Sequence, residues 1–139
     1  MGTQQILMIV LSVIVVGAAI AVGIDMFNMY SRQMDRFAIA IELNNIAING
    51  TTWWRTPAML GGGQNGTLTP APSREGFINF LGANANGVLP NTVNATFTIG
   101  ALNYQAGTVP VTVSNSRVEN MNIEYMIDLT SGTLLTPLP

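Results

Sequence analysis

The residues that could support catalysis are few and widely spaced in this 139-residue chain. His, Cys and Lys are absent, which excludes imidazole and thiolate chemistry, Schiff bases and a phosphate-binding lysine. The acids after residue 50 are Glu75, Glu119, Glu124 and Asp128. On one face of a strand, Glu124 and Asp128 are about 13 Å apart, whereas the paired carboxylates of glycoside hydrolases need roughly 5–10 Å. We therefore predict a solvated outer face and no enzyme activity, cofactor or metal site.

Two short motifs resemble functional sequences without their required context. The glycines Gly61–Gly63 lack the Lys, the preceding strand and the following helix of a phosphate-binding loop, so we predict a turning connector. Three Asn-x-Thr sequences make Asn49, Asn65 and Asn94 possible glycosylation sites. Asn65 is the best placed of the three, because it lies in a Gly-rich loop.

The pair Trp53-Trp54 supplies the largest aromatic surface in the chain. We expect one ring to close the core between helix and sheet and the other to lie at a subunit contact, because aromatic rings bury a large area per residue. The alternative is a carbohydrate-binding platform, although no cluster of acids or amides accompanies the pair in sequence.

The charge pattern gives little support to a charged binding cleft. The five bases are all Arg, and they are spread along the chain with seven acids. Without a basic patch, phosphate contacts to nucleic acid are not expected. Such a neutral, polar surface suits an exposed coat.

The most informative element is the apolar run from Ile6 to Ile24, which carries no charged residue. It exceeds the 7–15 apolar residues of a cleavable signal and has no preceding base, but it is long enough to span a membrane. Three interpretations are a discarded signal, a membrane anchor with a juxtamembrane helix, and a helix buried among identical helices.

A helical pattern continues beyond this run. An apolar seam with three- and four-residue spacing comprises Phe27, Tyr30, Met34, Phe37, Ile41 and Ile48. We predict one helix from about Thr3 to Ile48, roughly 70 Å long, which ends at Asn49-Gly50. The seam is expected to cover the sheet of the head, with Phe27, Met34, Phe37, Ile41 and Ile48 as the packing residues.

The C-terminal part shows the period-2 alternation of half-buried strands. The apolar positions are Ala95, Phe97 and Ile99, then Val109, Val111 and Val113, then Ile123, Tyr125, Ile127 and Leu129. Turns are expected at Asn115-Ser116 and Ser131-Gly132, a short last strand at Leu134-Leu135, and an edge near Leu89. The predicted class is α+β, with a long N-terminal helix packed against a small antiparallel sheet. Residues 1–24 form the apolar helix, 25–49 its amphipathic continuation, and 50–139 a β-rich head with a Gly/Pro-rich loop at 55–76.

This layout resembles that of type IV pilins and pseudopilins. The resemblance covers roughly the first 48 residues, and within them "LMIV" at Leu7–Val10 is similar to the start of many pilins. Two departures stand out. The family usually has a glutamate near Gln5, which pairs with a neighbour's terminal amine, and a proline near Val22, where the helix loosens in the fibre. Here Gln5 is neutral, and we expect any uncoiling on assembly between Gly17 and Gly23.

The resemblance implies the major structural subunit of an extracellular, type IV pilus-like helical filament on a bacterial surface. Its partners would be many copies of itself, the membrane before assembly, and the pilus assembly machinery. The residues expected in the filament core are Gln5, Ile6, Leu7, Val10, Ile14, Gly17, Ala21 and Gly23. The alternatives are a pseudopilin or minor subunit of a secretion system, and a monomeric, membrane-anchored surface binding module.

Overall fold

The computed structural model describes residues 2–67, 73–90, 94–115 and 121–135. Its elements are the helices α1 (Gly2–Arg55) and α2 (Arg74–Leu81) and the strands β1 (Thr96–Ile99), β2 (Thr108–Asn115), β3 (Met121–Asp128) and β4 (Thr133–Leu134). Two single 3₁₀ turns, Ala58–Leu60 and Gln64–Gly66, lie between the two helices in sequence. The predicted α+β class, with a long N-terminal helix and a small antiparallel sheet, is confirmed.

The chain forms two compact units, residues 1–34 and residues 35–139. The first is helical throughout its described part, and all of its described side chains are exposed in the single chain. The second contains the remainder of α1, the sheet and every described residue of the core. All apolar burial within the described chain therefore belongs to the second unit.

The sheet has the order β1-β2-β3-β4, and each neighbouring pair is antiparallel. The register places Ile99 opposite Val111 and Val113 opposite Ile123. The predicted inward positions are confirmed as buried, with Ile123 partly buried: Ala95, Phe97, Ile99, Val109, Val111, Val113, Tyr125, Ile127 and Leu129.

The turns and edges of the sheet follow the predicted pattern where they are described. The Ser131-Gly132 turn connects β3 to β4, and Gly132 adopts a φ of +72°, which glycine tolerates without strain. The edge expected near Leu89 is a single bridge between Val88 and Thr98. The turn predicted at Asn115-Ser116 lies partly outside the described residues, because the description ends at Asn115.

The predicted helix stop at Asn49-Gly50 is wrong, since α1 continues to Arg55. Gly50 is buried, and a β-carbon there would stand 2.8 Å from Leu129 Cδ2, so this glycine permits close packing instead of ending the helix. The added turns bury Trp53 and Trp54. Burial of two tryptophans outweighs the cost of about 1 kcal/mol for glycine inside a helix.

The prediction that the seam covers the sheet is also wrong. Phe27, Met34, Phe37, Ile41 and Ile48 are all exposed, as is Tyr30. The residues of α1 that are buried are instead Ile39, Leu43, Ile46, Ala47, Gly50, Trp53 and Trp54. This stripe has the same three- and four-residue spacing as the seam, so periodicity alone does not distinguish the two faces.

Helix α2 falls partly in a segment expected to be loop. Ser73 caps its first turn by accepting a hydrogen bond from the Gly76 amide at 3.4 Å, and Gly82 closes it with a φ of +75°. Its buried residues are Phe77 and Ile78. The capping serine and the glycine after the last turn are sequence signals that could have located this helix.

Both tryptophan rings lie inside the second unit, at 0% and 4% exposure for Trp53 and Trp54. Trp53 packs edge-on against Phe77 with ring centroids 5.0 Å apart, and Trp54 against Tyr104 at 5.4 Å. The burial of Trp53 in the core between helix and sheet agrees with the prediction. The expected exposure of the second ring at a subunit contact is wrong, and neither ring is available as a carbohydrate platform.

Candidate assembly surface

The first unit presents an extended apolar helix surface from Ile6 to Ile24, in which Ser12 is the one polar residue. Every large apolar side chain from Ile6 to Ile24 is exposed, and the least exposed of them, Val10, is at 49%. Helix α1 is long and apolar enough to cross a membrane. A contiguous apolar surface of this extent is covered in a working protein by lipid or by other protein.

The predicted filament-core residues all lie on this exposed part of α1: Gln5, Ile6, Leu7, Val10, Ile14, Gly17, Ala21 and Gly23. The helix is regular through Gly17 and Gly23, and nothing lies within 4 Å of a β-carbon built on either glycine. Uncoiling between Gly17 and Gly23 on assembly stays a prediction, because the structure describes a single chain.

A shallow groove of about 390 Å³ marks this surface around Gly17, which has no side chain to fill it. Its lining residues are Ser12, Val13, Val16, Gly17 and Ile20. The Ser12 hydroxyl donates to the Met8 carbonyl at 2.7 Å, so this polar group is satisfied within the helix. The groove therefore offers an apolar surface that a neighbouring helix can approach closely.

A second exposed apolar surface lies within the second unit, on the part of α1 that also packs against the sheet. It consists of Phe37, Ile41 and Ile48, at 65%, 48% and 60% exposure, and we call it the bare helix face. Ile41 and the fully buried Leu43 are two residues apart, about 200° around the helix. This part of α1 is therefore apolar on both sides, and the single chain covers only one of them.

The acids considered for catalysis lie on the outer face of β3. Glu124 is exposed and Asp128 half-buried, which agrees with a solvated outer face. The Thr130 hydroxyl, together with the amide of Thr130 and the hydroxyl of Ser131, holds the pKa of Asp128 below its usual value. Asp128 thus organises the turn before β4. Within the described ranges, no group of three acidic, His or Cys side chains could hold a metal ion.

Tyr125 is the one fully buried titratable side chain of the described sheet residues. Burial raises the pKa of its phenol, and the positive charge of Arg36 on α1 partly opposes this effect. Its hydroxyl has no hydrogen-bond partner among the described residues. Tyr125 therefore fills the core at the expense of an unsatisfied hydroxyl, and it does not form a reactive site.

The three possible glycosylation sites differ in access. Asn49 is exposed on α1, and Asn65 is exposed in a turn with a φ of +52°. Asn94 is half-buried, and its side-chain amide donates to Glu42 Oε1 at 3.0 Å. A glycan on Asn94 would replace this contact, so Asn49 and Asn65 are the accessible candidates. Glycosylation itself stays a prediction.

Sequence reasoning missed one exposed feature, the apolar pair Met59-Leu60. These side chains are 98% and 76% exposed on the first 3₁₀ turn. They belong to no periodic pattern, because they lie within a Gly/Pro-rich segment. An isolated apolar pair between Pro57 and Gly61 is the only signal that could have singled them out.

The architecture is compatible with that of a pilin: a long apolar N-terminal helix joined to a small antiparallel sheet. The surfaces left bare are helix surfaces, and the described part of the sheet contributes no comparable apolar patch. Comparison with protein-family models, curated proteins and solved structures finds no match to this chain.

Proposed function

We propose that this protein is the major structural subunit of an extracellular helical filament similar to a type IV pilus, assembled through α1. The observation that carries the proposal is the bare helix face of Phe37, Ile41 and Ile48, which lies opposite the side of α1 that packs against the sheet. An exposed apolar surface at this position suits contact with neighbouring subunits.

The length of α1 supports a filament subunit over a simple membrane anchor. About 20 residues cross a hydrocarbon layer of roughly 30 Å, and the run Ile6–Ile24 supplies them. The bare helix face begins 13 residues and ends 24 residues after Ile24 in the sequence. These residues come after the run that is long enough to cross the layer, so we infer that a protein partner covers them.

The move of the helix from the membrane into a filament core favours close packing between helices. A helix that leaves the membrane for a filament core moves from one apolar environment to another, so the hydrophobic effect contributes little. Small residues let helices approach each other, and Gly17, Ala21 and Gly23 lie on the exposed helix. A head-to-tail contact that does not close on itself produces an open helical assembly.

The first experiment is electron microscopy of fibres sheared from cells that produce the chain, with mass spectrometry of the fibre protein. We expect thin fibres in which this chain is the dominant protein. A few copies within fibres of another protein would indicate a minor subunit. Protein confined to the membrane, without fibres, would contradict the proposal and favour an anchored monomer.

A variant pair tests the role of α1 directly. Gly17→Leu fills the groove at Ser12–Ile20 and should reduce fibre yield strongly, because neighbouring helices can no longer approach. Insertion into the membrane should be unchanged, since leucine is at least as apolar as glycine. Val15→Leu, at an exposed position outside the groove lining, is the matched control. Equal loss of membrane-inserted protein and of fibres in Gly17→Leu would contradict the assembly role.

A further inference from the structure

The exposed pair Met59-Leu60 is carried by a turn with a defined conformation. The Leu60 amide donates to the Pro57 carbonyl at 3.0 Å, and the Gly61 amide donates to the Ala58 carbonyl at 2.9 Å. Gly61 follows with a φ of +82°, which favours glycine. The backbone of Ala58–Leu60 is thus fixed while its two large side chains point into solvent.

The turn is also attached firmly to the buried tryptophan. Trp53 Nε1 donates to the Gly61 carbonyl at 2.9 Å, and the Gly63 amide donates to the Trp53 carbonyl at 2.9 Å. A β-carbon on Gly62 would stand 2.2 Å from the Thr56 carbonyl oxygen, and one on Gly63 would stand 3.0 Å from the Trp53 ring. Gly61 and Gly62 are therefore required by the geometry, and Gly63 packs tightly against the Trp53 ring, so the segment holds Met59 and Leu60 in a defined position.

A recess that can receive such a side chain lies on the same unit. Its volume is about 290 Å³, and its lining residues are Ile48, Thr51, Thr52, Arg55, Ser131 and Gly132. The hydroxyls of Thr51 and Thr52 donate to carbonyls of α1 at 2.9 Å, so they need no partner from a ligand. Ile48 is shared with the bare helix face, so the recess is continuous with the surface proposed for assembly.

We propose that Met59, supported by Leu60, inserts into the Ile48–Gly132 recess of a neighbouring copy of this chain. The inference rests on the proposed filament and adds the contact between heads. Two side chains cover far less than the roughly 1,000 Å² that a stable independent interface needs, so they cannot hold a separate partner alone. A copy already held through α1 can use them. The protrusion and the recess lie on the same molecule. Each copy can therefore contact the next one, and the contact can repeat along the fibre.

Methionine suits this contact because its flexible, polarizable side chain adapts to an irregular recess that includes polar atoms. Arg55 limits the recess on one side, where its guanidinium donates to the Thr130 carbonyl at 3.4 Å. An apolar, uncharged protrusion meets no repulsion there. The expected role of the contact is to set the packing of heads along the fibre.

The absence of native cysteine permits a direct test by disulfide mapping in the full chain. Chains with Met59→Cys are co-assembled with chains carrying Thr52→Cys, and the fibres are oxidised. We expect linked pairs between positions 59 and 52, identified by mass spectrometry of the joined peptides. The control replaces Thr52→Cys with Asn79→Cys, an exposed position on α2 outside the recess. Fibres whose 59–52 linkage does not exceed the 59–79 control would overturn the inference and leave the filament intact.

A second measurement, the critical concentration for fibre assembly, tests the same contact when cysteine variants assemble poorly. Met59→Ser should raise the critical concentration for fibre assembly by about tenfold, which corresponds to about 1.4 kcal/mol. Folding should be unaffected, because the Met59 side chain is 98% exposed in the described part of the chain. Asn79→Ser should leave the critical concentration unchanged. Equal values for Met59→Ser and the native chain would overturn the inference, whereas a native chain without fibres would overturn the filament proposal as well.

Discussion

A β-carbon on Gly50 would stand 2.8 Å from Cδ2 of Leu129, the residue that follows β3. The ring of Phe77 lies 3.5 Å from the same point, so Gly50 is enclosed by two buried side chains. Helix α1, helix α2 and the end of β3 meet here because position 50 carries no side chain. This close approach between elements distant in sequence therefore depends on a residue that local rules would place at the end of a helix.

Gly50→Val should destabilise the second unit by about 2–3 kcal/mol, because the added methyl groups would overpack a site with no space. Tryptophan fluorescence during denaturant unfolding of the full chain in detergent measures the effect. Gly76→Ala on α2 is the matched control: nothing lies within 4 Å of its β-carbon, so it should stabilise by up to about 1 kcal/mol. A Gly50→Val variant as stable as the native chain would contradict the packing described.

The two apolar faces of α1 should respond oppositely to substitution. Leu43→Ala, at a fully buried position, should destabilise the second unit by about 2–5 kcal/mol. Ile41→Ser, on the bare helix face, should change the free energy of unfolding by no more than about 0.5 kcal/mol. Fibre formation should nevertheless fail in Ile41→Ser, because it places a hydroxyl in the subunit contact. Normal fibres from Ile41→Ser would argue against assembly through this face.

Alkaline pH should destabilise the head through Tyr125. Burial raises its pKa, so the folded state favours the neutral phenol. The resulting stability is fully present below the unfolded pKa of about 10 and is lost as pH rises through the higher folded value. Tyr125→Phe should remove this contribution and should not lower stability at neutral pH, since the hydroxyl has no described partner. Identical alkaline unfolding of both proteins would contradict this account.

Acidic pH should destabilise the head through Asp128, whose pKa is lowered by hydrogen bonds from Thr130 and Ser131. The stabilisation by the carboxylate is present above the unfolded pKa of about 3.9 and is lost as pH falls through the lower folded value. Asp128→Asn should cost about 1 kcal/mol at pH 7 and reduce the loss of stability below pH 4. Thermal unfolding at pH 3 and pH 7 measures both effects. Glu124→Gln, at an exposed position on the same strand, should change neither.

The existence of the helix and of the strands could be predicted from the sequence for simple reasons. The first proline of the chain is Pro57, and an apolar run such as Ile6–Ile24 satisfies its backbone groups best as a helix. The alternation in Val109–Val113 and Tyr125–Leu129 has a period of two, which only a strand places on one face. These signals are local, so they remain valid whatever the rest of the chain does.

A long apolar helix joined to a small antiparallel sheet could be predicted from the sequence alone, which also lacks His, Cys and Lys. Packing in three dimensions determines which face of α1 the head covers, because Ile41 and Leu43 are equally apolar and their periodicity does not show which of them faces the sheet. It also decided that Gly50 continues the helix, that Trp54 is buried and that Met59 is exposed. These outcomes depend on contacts between residues distant in sequence, such as Gly50 with Leu129, whose energies exceed the local preferences of about 1 kcal/mol that sequence patterns express.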